Sequence, residues 1–264
     1  MGATLTLRLP PEGGYGEVEL MPDDIAYEDE WLLAVHKRMG WYVGPTPWDR
    51  DGNVLAAVGR YLAARDGRAP QLHLAHRLDR DTSGVLLLSK APEANAALQA
   101  AFAGGQALKE YSCLCAGTPI WSSLELRTGH GRGAGGRWRL YPLDEVGRVL
   151  PTGAGRVKEA RSGFLLERPL RDAALLRARL HTGRTHQIRL HLAHIGHPLL
   201  GDARYGGPTE YAGVALPGHL LHAETLRLAH PLTGAPLELT SSRPSLFERL
   251  VAAGSASSLL ELEA

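Results

Sequence analysis

Two cysteines, no long apolar run and almost no net charge set the first limits on this 264-residue chain. Cys113 and Cys115 are the only cysteines. Residues two apart on one strand rarely bridge, so the pair reads as reduced core thiols of a cytosolic protein. A second cysteine pair that would complete a four-ligand metal site is missing. No stretch approaches the roughly 18 apolar residues of a membrane helix. Residues 1–11 lack the basic and then apolar regions of a secretory signal. Internal repeats, a long linker and a clear domain boundary are also missing. What is present is a hydrophobic fraction of 44%, enough to bury a core.

The net charge of +1 hides an uneven distribution. Residues 11–30 carry eight acids and no lysine or arginine. Residues 175–205 carry five arginines (Arg177, Arg179, Arg184, Arg189 and Arg204) against Asp202 alone. Between them, residues 126–161 hold eight basic residues and three acids. A nearly neutral protein can still turn a basic face toward a polyanion, although solvated loops and helix faces give the same pattern.

Patterning predicts strands at Leu32–His36, continuing through 41–43, and at Val85–Ser89, Glu110–Ala116, Phe164–Glu167 and Leu175–Leu180. Late strands are expected at Leu226 and Leu228 and over 237–239. Helices are expected over Val54–Ala64, over Pro92–Ala103 with proline in the first turn, over Thr185–Ile195 and over Ser245–Ala253. The Gly- and Arg-rich stretch 128–138 reads as a mobile loop or hairpin turn, and the acidic end 259–264 as frayed. Strands and helices mix without strict alternation, which points to an α+β fold on a mixed, largely antiparallel sheet.

Four short constellations carry chemistry. The first is His76-Arg77-Leu78-Asp79-Arg80-Asp81-Thr82-Ser83-Gly84, a charged turn ahead of an apolar strand. Taken alone, Asp79 reads as a turn residue bonded to the backbone near Ser83. Asp79 and Asp81 together resemble a carboxylate pair, but glycosidases bring theirs from separate strands. The second runs from His181 to His191 through Gly183-Arg184-Thr185-His186-Gln187-Ile188-Arg189. Ile188, Leu192 and Ile195 form its apolar stripe, and Arg184 sits at the helix mouth. Its histidines suggest zinc, yet the His-Glu-x-x-His spacing is absent. The third is Lys109-Glu110-Tyr111, where alternation puts Tyr111, Cys113 and Cys115 on one face. The fourth is Leu221-His222-Ala223 with His230-Pro231 and Gly234.

Taken in order along the chain, with Ile25–Glu30 ahead of them and Gly201-Asp202-x-x-Tyr205-Gly206 between the last two, the four resemble the RluA-type pseudouridine synthases over about residues 25–235. The resemblance implies a pseudouridine synthase fold: a central mixed, largely antiparallel sheet flanked by helices and loops. It implies isomerisation of uridine to pseudouridine in structured RNA, ribosomal or transfer, with no cofactor or metal. Asp79 matches the family's catalytic aspartate, Tyr111 its active-site tyrosine and Arg184 its active-site arginine. Arg77 matches the arginine that fills the gap left by an extruded base. His76, Arg80, Thr82, Lys109, Thr185, His186, Gln187 and Arg189 complete the expected RNA-binding set. A carboxylate in a dry pocket pays for desolvation, and a neighbouring guanidinium opposes that and fixes its orientation. Arg184 is expected to be that neighbour.

The expected organisation is an extension over 1–24 without a separate RNA-binding domain, a catalytic domain over 25–255 and an acidic tail over 256–264. A cytoplasmic monomer with no membrane attachment is expected. Lys37-Arg38-Met39-Gly40 departs from the family's Lys-Pro-x-Gly, so that loop is expected to sit differently. The segment 131–137 is expected to be a substrate-contacting insertion. Rival readings are a catalytically silent RNA-binding protein of the same fold and a metal-dependent hydrolase using the His-rich helix.

Overall fold

The computed structural model describes residues 17–47, 49–151 and 155–260. Most of the expected extension and the last four residues of the expected acidic tail lie outside them. One sheet dominates. Its strands are β1 (Ile25–Glu28), β2 (Leu32–Lys37), β3 (His73–Leu74), β4 (Ser83–Ser89), β5 (Leu108–Ala116), β6 (Ser123–Arg132), β7 (Trp138–Tyr141), β8 (Lys158–Leu170) and β9 (Ala173–Leu180). A separate two-stranded ribbon, β10 (Glu210–Tyr211) and β11 (Val214–Ala215), precedes the last two strands of the large sheet, β12 (Leu221–Ala229) and β13 (Pro236–Thr240). The path across the sheet is β1-β2-β4-β12-β5-β9-β8-β6-β7, with β3 on β4 and β13 on β12.

Among the described residues, β4 with β12 is the one parallel pair of strands in this sheet. His222 and Ala223 lie opposite Ser83 and Gly84 there. The α+β expectation and the mixed, largely antiparallel sheet are therefore what the chain adopts. Two differences have local causes. Residues 41–43 make only an isolated bridge from Tyr42 to Asn53, because the backbone there goes to the start of the first helix instead. The stretch 128–138 is mostly strand: β6 and β7 pair through His130 and Leu140, and Gly133 to Arg137 closes the turn.

The four α-helices among the described residues are α1 (Val54–Asp66), α2 (Pro92–Ala103), α3 (Gln187–His194) and α4 (Ser245–Leu260). Asn53 caps α1 by accepting from the Ala56 amide, and Gly67 closes it in the left-handed region. The run Val85-Leu86-Leu87-Leu88 is apolar throughout because both its faces are covered. Leu86 and Leu88 join the core containing Val58 and Leu62 of α1 and Ile188 and Leu192 of α3. Val85 and Leu87 join the core under Ala94 and Leu98 of α2. A third cluster packs Phe247, Leu250 and Val251 of α4 on Leu114 and Leu175. Ile188 and Leu192 are buried, and Ile195 packs on the same core just beyond the helix, as the stripe predicts. Cys113 and Cys115 are free and buried in that core, and burial pushes the Cys115 thiol up to about 12.

Two features set the chain segment that carries Asp79. Gly84 has φ of 114° and lies where a Cβ would run into the Ala223 backbone. Only glycine allows β4 and β12 to approach so closely. The buried Lys37 donates its ammonium to the carbonyls of Arg38, Arg80 and Thr82 at 3.1, 2.7 and 2.7 Å. The Gly40 amide adds a bond to the Arg80 carbonyl. Arg38, where the family has proline, turns outward to Asp24. Gly84→Ala is expected to lower stability by more than about 2 kcal/mol, since both φ and space are wrong for a side chain. Urea denaturation measures this, and a wild-type midpoint would contradict it.

Candidate active site

A cavity of about 490 Å³ opens where the turn before β4, the end of α2, the start of β5 and the loop before α3 meet. Asp79 lies in the first of these. Its backbone carbonyl accepts from the Thr82 amide, closing a turn. Its side chain does not bond to the backbone near Ser83. The carboxylate instead accepts from Arg189 Nη1 at 3.0 Å, and His186 Nε2 lies 3.7 Å from its other oxygen. Arg189 uses Nε and Nη2 on the two oxygens of Asp202, at 2.7 and 2.8 Å. One guanidinium thus spans two carboxylates, with Asp202 buried and Asp79 at the cavity. Burial alone pulls Arg189 down, but Asp202 and then Asp79 outweigh it and hold the guanidinium above its ordinary value.

The expectation that Arg184 orients Asp79 is therefore corrected. Arg189 lies on α3, and its position there points it at the turn before β4. Arg184 precedes the helix, and its Nε donates to the Glu159 carbonyl at 2.8 Å. It lines the same cavity without bonding Asp79. Asp81 departs from Asp79 as well: it pairs with its neighbour Arg80 at 2.6 and 3.1 Å, and neither lines the cavity. A two-carboxylate arrangement is thereby ruled out, and Arg80 is not brought to the site.

The loop 182–187 is fixed from below. Gln187 is buried, and its amide oxygen accepts from the Arg184 amide and the Thr182 hydroxyl. Its nitrogen donates to Ser162 Oγ and the Arg161 carbonyl. Gln187 is thus a brace of the loop in place of the expected RNA contact. His191, fully buried, bridges Ser162 Oγ and Thr128 Oγ1 at 3.0 Å each. His186 holds the left-handed conformation at φ of 57° and bonds Tyr205 through Nδ1 at 2.8 Å. A non-glycine residue at positive φ beside the cavity is backbone strain kept at a working site. His130 Nε2 donates to the Thr185 carbonyl at 2.9 Å. Each of these histidines is engaged by its own protein partner, not gathered about a shared point. Among the described residues no group of three or more His, Cys, Asp or Glu is placed to hold a metal ion.

Tyr111 presents its ring to the cavity, and burial, then the Asp79 charge, raises its phenol above the ordinary value. It stays protonated at neutral pH and can offer a hydroxyl proton there. His76 accepts from the Leu87 amide on Nε2, so its proton is on Nδ1. Its ring stacks on Phe102 with centroids 4.9 Å apart. Thr82 is buried and bonded to His219 Nε2. Arg77, Lys109 and Thr185 line the cavity. Asp202, Tyr205, His219 and Lys37 were given no role from sequence. The Gly-Asp-x-x-Tyr-Gly string at 201–206 was the available signal for the first two.

The RNA pseudouridylate synthase family model matches residues 32–194. RNA pseudouridine synthase 1 of Oryza sativa subsp. japonica is 35% identical over 258 residues, 84% of this chain and 72% of the relative. RNA pseudouridine synthase 1 of Arabidopsis thaliana is 36% identical, over 85% and 76%. Ribosomal large subunit pseudouridine synthase D of Zymomonas mobilis is 32% identical, over 90% and 75%. The solved structure of human RNA Pseudouridylate Synthase Domain Containing 4 superposes with a TM-score of 0.68 at 22% identity, covering 87% of this chain and 92% of that one. Its counterpart Domain Containing 1 gives 0.64 at 22%, over 94% and 98%. These two share the fold.

Burial, the largest cause in each, pushes His76 down to about 3 and His186, His191 and His219 each to about 4. Their unfolded value is near 6.5. Below that pH the unfolded chain takes up protons that the native one refuses, so stability falls as pH falls from about 6.5 toward 4. The urea midpoint is expected to drop already between pH 6.5 and 5, above the main carboxylate range. A flat midpoint there would contradict the neutral burial. Asp202→Asn leaves half of a buried pair and is expected to cost about 3 kcal/mol. A midpoint equal to wild type would contradict that role for Asp202.

Proposed function

The chain belongs to the RNA pseudouridylate synthase family, as an RluA-type enzyme that isomerises uridine in RNA, and on that premise we propose that Asp79 is its catalytic residue. The substrate is a uridine swung out of structured ribosomal or transfer RNA into the cavity around Asp79. The observation that carries this reading is one carboxylate, braced by Arg189, in a cavity whose other charged side chains are cationic.

Isomerisation breaks the N1–C1′ bond and joins C1′ to C5 of the same uracil. The proton on C5 leaves, N1 ends protonated, and atoms balance without a co-reactant. Glycosidic cleavage develops positive charge at the sugar and negative charge on the base. Asp79 answers the first as a nucleophile, at the sugar or at the base ring. Arg189 limits its rotation and holds the oxygen that is not attacking. Tyr111 offers a flat face to the uracil and a hydroxyl donor at its edge. Base extrusion costs about a few kcal/mol. Arg77, exposed at the cavity mouth, stacks in the space the base vacates.

RNA backbone is held by basic residues around this opening. The β6–β7 hairpin belongs to that surface. Arg132 lies over the Trp138 ring at 4.8 Å and Arg139 over Tyr141 at 4.9 Å, so the cations are held in place. Trp138 stacks on His130, and His130 bonds the loop that carries Arg184 and His186. RNA seated on the hairpin thereby bears on the cavity wall. Lys109 and Thr185 contact the bound nucleotide. The enzyme works as a monomer in the cytoplasm. Among the described residues no helix is long and apolar enough to cross a membrane.

Asp79→Asn is expected to abolish tritium release from RNA carrying 5-labelled uridine while leaving RNA affinity within about twofold. Residual turnover with lost binding would overturn the assignment. No release from the wild-type protein on any ribosomal or transfer RNA would leave a silent RNA binder. Removal of residues 133–137 is expected to weaken RNA binding about tenfold or more, measured by filter retention. Unchanged affinity would exclude the hairpin from the interface.

A further inference from the structure

Lys109 is the charged group of the cavity that its own fold leaves unanswered. It is 7% exposed, and among the described residues its ammonium has no hydrogen-bond or ion-pair partner. Its Nζ lies against Gly183, 3.4 Å from where a Cβ there would stand. The charge that most affects it is another cation, Arg184, and burial together with Arg184 lowers its affinity for a proton. Arg184 spends Nε on the Glu159 carbonyl, and its two terminal nitrogens make no bond among the described residues. Of the cavity's ionisable arginines, lysines and acids, Arg77, Lys109, Arg184 and Arg189 stand against Asp79 alone. Arg189 is answered by Asp79 and Asp202.

Two cations that feel each other's charge, with no acid partner among the described residues, are costly to hold in a half-dry cavity. They repel each other until an anion arrives. Gly183, against the Lys109 ammonium, offers no side chain that would occupy the space. Resting on the reading of the cavity as a uridine site, we infer that Lys109 and the Arg184 guanidinium seat a phosphate of the target nucleotide itself, with Gly183 leaving room for its oxygens. The fork of Arg184 suits two phosphate oxygens, and Lys109 adds a point charge. The seat lines the same cavity as the Asp79–Arg189 pair, so it fixes the nucleotide by its backbone while the sugar and base meet Asp79. Arg184 thus acts on the substrate's phosphate and not through the catalytic carboxylate.

The test compares uridine, uridine 5′-monophosphate and uridine 3′-monophosphate as ligands of the full-length protein by calorimetry. One of the two nucleotides is expected to bind at least about tenfold more tightly than uridine, and which one identifies the phosphate. Lys109→Met is expected to erase that advantage and to raise KM for RNA with kcat within a few-fold, and Lys109→Arg to restore part of it. Arg184→Gln carries the same test if Lys109→Met fails to fold. A wild-type protein that does not favour either nucleotide over uridine overturns the inference, whether all three bind or none does. So does a Lys109→Met enzyme that keeps the nucleotide preference and loses kcat, which would place the ammonium against the base. Tritium release by the wild-type protein, measured alongside, separates failure of this seat from failure of the uridine reading.

Discussion

Arg189 is shared by two carboxylates, and the site depends on that sharing. A buried guanidinium with a single acid would pair with it fully and pivot with it. Here Asp202 takes two of the three nitrogen positions in a fork-to-fork arrangement, which locks the plane of the group. The remaining Nη1 is then held in place, and it donates to Asp79. The Asp79 carboxylate is oriented by a cation that cannot follow it. Tyr205 reinforces the arrangement, since Arg189 lies over its ring at 5.0 Å and its hydroxyl bonds His186 on the other side of Asp79.

The fold delivers the two halves of this arrangement by separate means. Asp79 arrives on a turn clamped by a buried lysine ammonium and by the close parallel approach of β4 to β12, which glycine alone permits. Arg189 arrives on a two-turn helix whose apolar side is buried under the sheet. Ahead of that helix a string of neutral polar side chains, Thr128, His191, Ser162, Gln187 and Thr182, ties the loop to β6 and β8. Every member of the string is hydrogen-bonded, so the burial of so many polar groups does not leave an orphan. The same burial lowers His186 and His191, and the cavity's arginines and lysine stand against Asp79.

Charge is sorted by face. Of the seven acids in residues 17–30, three are spent within the protein: Asp24 on Arg38, Glu28 on Arg65 and Lys90, Asp29 on His230. On the open side of the sheet Glu110 gathers Arg179 and Arg227, and Glu167 gathers Arg177 and Arg243. Glu110 is itself buried while Arg179 and Arg227 reach solvent, and together these pairs cancel the charge of that side. Among the described residues Lys109 at the cavity and Arg132 and Arg139 on the β6–β7 hairpin also lack an acid partner, which suits these parts to a polyanion.

Much of this could be read along the chain. The apolar run 85–88 announced a strand covered on both faces, Pro92 and Gly104 bounded α2, and the order of short motifs identified the family. Those features are local: they depend on period, on backbone-restricting residues or on wording. Asp79 and Tyr111 reach the cavity because a turn and an alternating strand put them there, and both rules operate within a few residues. The partner of Asp79 was beyond such rules. Arg184 and Arg189 lie five apart in one motif, and choosing between them requires knowing where the helix begins and which way it faces. The helix starts at Gln187, later than the pattern suggests, because the Gln187 side chain is drawn down to Ser162 and holds the preceding loop outside it. Asp202, which decides what Arg189 can do, comes from a distant turn. Sequence alone determined which chemical groups the site contains. Tertiary structure decided which of them touch, because a hydrogen bond between residues 110 apart is set by packing and leaves no periodic trace.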